Sequence, residues 1–101
     1  MQKYLSIPVK NEANQLVLVN DVAIVEQAST SEVDIIYTSG KKCTVAHDVM
    51  AANNEDVRNK FQDSILQVLT QAWTKPSLQV SLGGIEDAGG GVPEITGITF
   101  S

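Results

Sequence analysis

The chain has 101 residues, with 7 Lys and Arg against 12 Asp and Glu for a net charge of −5, 43% hydrophobic residues, one Cys and one His. That length supports a single domain over residues 1–101, and surface scaling with mass gives about 5,600 Å² folded against about 15,800 Å² unfolded, so roughly 65% is buried. The acidic balance argues against a nucleic-acid partner or an anionic-membrane surface.

No apolar run reaches the ~18 residues of a membrane span, and Met1-Gln2-Lys3-Tyr4-Leu5 lacks the basic-then-apolar layout of a signal peptide. A single Cys forms no internal disulfide. Asn, Gln, Ser and Thr number 28, more than the 19 charged residues. The expected surface is polar but lightly charged.

Taken in chain order, Tyr4 to Val9 reads as an edge strand, because Pro8 lacks a ladder donor. Leu16-Val17-Leu18-Val19, Asn20-Asp21 and Val22-Ala23-Ile24-Val25 read as a hairpin of two apolar runs about a polar break. An unbroken strand is the alternative, since Asn-Asp is a weaker turn signal than Asn-Gly. Neither run alternates, which suggests burial on both faces. Val33, Ile35 and Tyr37 then alternate with Asp34, Ile36 and Thr38. Ser39-Gly40-Lys41 turns the chain, and Lys42 to His47 returns it.

A helix is expected from about Asn54 to Thr74. Val57, Phe61, Ile65, Val68, Leu69, Ala72 and Trp73 form one apolar stripe. Asn53 is the expected cap, Glu55 and Asp56 suit the macrodipole, and Lys75-Pro76 closes the helix. Leu78, Val80 and Leu82 form the next strand. It should pair with Ile95 to Phe100 across the glycine-rich loop Gly83–Gly91.

The order indicates an α+β fold: a mainly antiparallel sheet of about 5–7 strands with one long amphipathic helix on one face. The expected core is Leu16, Leu18, Ile24, Ile35, Val45, Phe61, Ile65, Leu69, Trp73, Leu78, Val80 and Ile98. Val17, Val19 and Val25, the other parity of the hairpin, are the expected self-association positions.

Chemistry finds little to work with. Cys43 and His47 share a strand face, but at ~3.3 Å per residue they lie about 13 Å apart, too far for one zinc. Cys43 is therefore read as a small core hydrophobe and His47 as a strand end. No Gly-x-Ser-x-Gly elbow places a serine beside that histidine. Glu86-Asp87 sit between glycines without calcium-loop spacing, and Val92-Pro93 after the glycines excludes a phosphate loop. Tyr4 and Tyr37, with Lys3 and Lys41-Lys42 nearby, make too small a platform for base stacking. No catalytic, metal or cofactor-binding residue is expected, so the chain reads as no enzyme.

Lys3-Tyr4-Leu5-Ser6-Ile7-Pro8-Val9, Asn14-Gln15-Leu16-Val17-Leu18-Val19-Asn20 and Asp56-Val57-Arg58-Asn59-Lys60-Phe61-Gln62-Asp63-Ser64-Ile65 resemble small proteins of large tailed phages of marine cyanobacteria. Some of those are labelled virion structural proteins. The resemblance spans nearly the whole chain, rests on overall pattern, and transfers no active-site residue. It implies a phage structural or assembly protein, a homo-oligomer in the virion or the host cytoplasm, with other virion or host proteins as further partners. A short chain with several strands must also shield its sheet edges, and symmetric self-association does so. The rival expectation is an accessory protein that docks on a host or phage partner through Ile85, Glu86 and Asp87.

Overall fold

The computed structural model describes residues 2–71 and 77–100. The strands are β1 (Tyr4–Ile7), β2 (Gln15–Leu18), β3 (Val22–Ser29), β4 (Glu32–Tyr37), β5 (Lys42–His47), β6 (Ser77–Gln79) and β7 (Ile95–Phe100), with one helix, α1 (Asp56–Thr70). The fold is α+β and mainly antiparallel, as the element order requires. Its strands divide into a small sheet, β2-β1-β6, and a larger one, β3-β4-β5-β7. Only the β1–β6 pairing is parallel within these sheets. A parallel bridge, Val9 to Ile95, links the two.

The hairpin β4–β5 forms where Gly40 permits φ +89°. The expected hairpin over residues 16–25 does not form. β2 pairs with β1, β3 pairs with β4, and Asn20-Asp21 carries the chain from one sheet to the other. Asn20 spends its side-chain oxygen on the Lys3 N–H at 2.6 Å, and Asp21 adopts φ +66°. The polar break is thus a corner between layers.

Parity there is the reverse of expectation. Val17 faces Leu5 across the ladder and Val25 faces Ile35, so both valines join the core, as does Val19. Leu16 is 63% exposed and Ile24 50%. The valines expected to mediate self-association are therefore inside the protomer and offer no surface. β1 is likewise central, because Pro8 falls one residue past its end and removes no ladder bond. β6 and β7 do not pair with each other; they extend different sheets.

The helix is shorter than its apolar pattern. Asn53 sits at φ +65° and does not cap, whereas the Asn54 side chain accepts the Asp56 N–H at 2.9 Å. At the other end Gln71 turns extended, and the Thr70 hydroxyl bonds back to the carbonyls of Leu66 and Gln67. The expected closure at Lys75-Pro76, with Trp73, lies outside the described residues. Val57, Phe61, Ser64, Ile65 and Val68 form the buried stripe, packed on β1, β3 and β6. Leu69 flanks it at 41% exposed.

Both sheets and the helix share one core. Leu5, Ile7, Val17 and Val19 come from the small sheet and its flank; Val25, Val33, Ile35, Cys43, Val45 and Ile95 come from the large one. The accessible surface of 5650 Å² matches the value expected from mass. Of the remaining expected core, Ile35, Val45, Phe61, Ile65 and Val80 are buried, whereas Leu18, Leu78 and Ile98 are half-buried.

Candidate functional site: the outer edge of the large sheet

His47 is held by its neighbours. Its Nδ1 lies 2.7 Å from the Asp48 carbonyl, an atom that only accepts, so Nδ1 carries the proton. Nε2 is buried with no described partner. The ring is thus turned into the protein and away from solvent.

Cys43 shares that inner face and is fully buried. Burial first, and the negative Asp34 second, push its thiol up to about 11, so it stays protonated and unreactive at neutral pH. Burial, with Cys43 adding to it, pushes the Tyr37 hydroxyl up to about 12, and that hydroxyl donates to the Leu18 carbonyl. Asp34 accepts from the Thr44 hydroxyl at 2.8 Å and pairs with Lys42 at 3.7 Å on the outer face. Among the described residues, no three His, Cys, Asp or Glu side chains converge as a metal site would need.

The loop 83–91 is a closed structure. The Asp87 carboxylate accepts the N–H groups of Gly89 at 2.8 Å and Gly91 at 3.0 Å. Asp87 N–H donates to the Gly91 carbonyl, Gly90 N–H to that of Asp87, and Ala88 N–H to that of Val49. Ile85 packs on the core. Of the expected docking trio, only Glu86 points a free side chain outward. The flanks of the loop wall a cleft of about 420 Å³ whose floor is Pro8, Val9 and Lys10. Sequence reading missed this cleft, because its lining comes from three segments distant in the chain, residues 8–10, 79–83 and 92–95.

The four sheet edges differ sharply. The outward Leu18 carbonyl of β2 takes the Tyr37 hydroxyl. β6 is only three residues long. β3 carries register shifts near both ends, and Arg58 Nε donates to its Val25 carbonyl at 3.1 Å. Short strands, bulges and covering side chains are the usual protections of an edge.

β7 has such cover only at its start, where its ladder with β5 shifts register between Ile95 and Gly97 and Lys10 N–H donates to the Ile95 carbonyl at 2.8 Å. Thr96 to Phe100 hydrogen-bond no described residue outside β5. The strand Ile-Thr-Gly-Ile-Thr-Phe is uncharged and rich in β-branched residues. Phe100 is 60% exposed although it lies opposite buried Cys43, on the inner face of the sheet. That face is unfinished at its rim. The signal was present in the sequence as an uncharged strand; that it lies at an edge was not.

No helix of the described residues is long and apolar enough to cross a membrane. No family model matches the chain, and no curated protein or solved structure matches it either.

Proposed function

We propose that the protein is a non-enzymatic structural or assembly component that acts by self-association, of the tailed-phage class its sequence resembles, working in the virion or the host cytoplasm. One observation carries the reading. β3 is bulged and crossed by Arg58, β6 and β2 are three and four residues long, and β7 over residues 97–100 keeps an open, uncharged ladder beside exposed Phe100. A monomer that kept such an edge in water would carry an aggregation hazard, which a matching partner removes. The chemistry supports the same reading, since the one His and the one Cys are both buried and spend no reactive atom at the surface.

The test is the solution mass by light scattering after size exclusion, across a tenfold dilution. The expected result is an oligomer whose mass holds through the series. A monomer of 10.9 kDa at every concentration refutes self-association and favours docking at the 83–91 loop instead.

A further inference from the structure

We infer that the unit of association is a closed two-fold dimer, made by antiparallel pairing of β7 with the β7 of a second copy. The inference rests on the self-association reading and adds its geometry.

The directions of the main-chain groups follow from the ladder. His47 N–H donates to the Ser31 carbonyl at 2.8 Å, and Tyr37 N–H to the Lys41 carbonyl at 2.9 Å. Alternation along β5 then turns Cys43 and Val45 toward β4, and Thr44 and Ala46 toward β7. Their partners are Thr99 and Gly97. Ile98 and Phe100 are left with N–H and C=O pointing away from the sheet.

Such a strand is its own complement. With Thr99 on the two-fold axis, Ile98 faces Phe100 of the second copy and Phe100 faces its Ile98, so the pairing uses the residues whose main-chain groups point outward and leaves out Thr96, where the ladder with β5 shifts register. Each facing pair exchanges both main-chain bonds. Ile98 and Phe100 stand opposite Val45 and Cys43, so their side chains lie on the inner face. A two-fold axis normal to the sheet keeps both inner faces on one side. Phe100 then sits directly opposite Ile98 of the second copy, at a Cβ spacing of ~4.5–5.5 Å within easy reach of its ring. The exposed ring and the half-buried Ile98 gain cover together.

Charge at the seam leaves room for a second copy. Two copies at −5 repel, and from Ile95 to Phe100 there is no ionisable side chain to place like charges face to face. The alternative edge, β3, carries Glu26 and is crossed by Arg58 at Val25. A β7-to-β3 contact would also be head-to-tail and would grow into a filament, whereas β7-to-β7 closes on itself.

Two variants test this by light scattering, with circular dichroism to confirm the fold. Phe100→Pro removes one outward N–H and the exposed ring but leaves the Thr99 and Gly97 bonds to β5. Thr99→Lys puts an edge lysine on an exposed position. The expected result is twice the monomer mass for the wild type and the monomer mass for both folded variants. Variants that stay dimeric overturn the β7 geometry while leaving self-association standing. A wild type whose mass climbs with concentration past the dimer overturns the closed form. A monomeric wild type overturns both readings.

Discussion

Asp87→Ala tests whether the glycine-rich loop is a built structure. The substitution removes the acceptor of the Gly89 and Gly91 N–H groups, two of the five described hydrogen bonds made by residues 87–91. Both glycines are exposed, so water replaces the lost acceptor and the full penalty for a buried orphan does not apply. At a net ~1 kcal/mol per bond, the loss is about 2 kcal/mol. Ile85 ties the loop to the core, so part of that loss reaches global stability. The upper bound is a Tm drop of about 8 °C, at about 4 °C per kcal/mol for a domain of this size. Locally, 2 kcal/mol corresponds to about 30-fold faster amide exchange at Gly89 and Gly91. Native-state hydrogen exchange read residue by residue measures it, and Asp87→Asn, which keeps one oxygen, should fall between. Unchanged exchange at both glycines in Asp87→Ala would refute the argument, since the carboxylate would then organise nothing.

The parity of β2 is checked by a pair of charges. Val17→Asp places a carboxylate in the core and should cost at least ~3 kcal/mol in urea unfolding, whereas Leu16→Asp on the exposed side should stay within ~0.5 kcal/mol. Equal effects would mean the register is wrong. On the helix, Phe61→Ala should lose about 3–5 kcal/mol, and exposed Leu66→Ala little, by the same assay. Cys43 should resist thiol reagents at pH 8 until denaturant unfolds the chain. The folded thiol titrates near 11, above its ordinary 9.0, so the folded state binds more protons between those values. Its contribution to stability is therefore full below pH 9 and lost as pH rises toward 11, which equilibrium unfolding against pH would show. Stability that rises over that interval would contradict the burial argument.

Local signals were legible wherever one period dominates. The stripe Val57, Phe61, Ile65, Val68 can lie on one face only of a helix, and Gly40 is the residue that φ +89° demands, so α1 and the β4–β5 hairpin follow from nearby residues. Residues 16–25 are different. Leu16-Val17-Leu18-Val19 is apolar at both parities, so alternation carries no information about which side faces inward. The larger side chains fell outside because Val17 must meet Leu5, and Val25 must meet Ile35, across ladders set by distant strands. Edge position is likewise invisible in a strand's own residues: β1 and β7 both read as strands, yet β1 is central and β7 terminal. The sequence by itself determined the helix, the strands, the lightly charged surface and the α+β class, because each depends on contacts within a few residues. Only the tertiary structure decided the division into two sheets, the closed Asp87 loop and the open edge at β7. Those depend on which distant strands meet, and the shared core sets that through burial, to which each short strand contributes only a part.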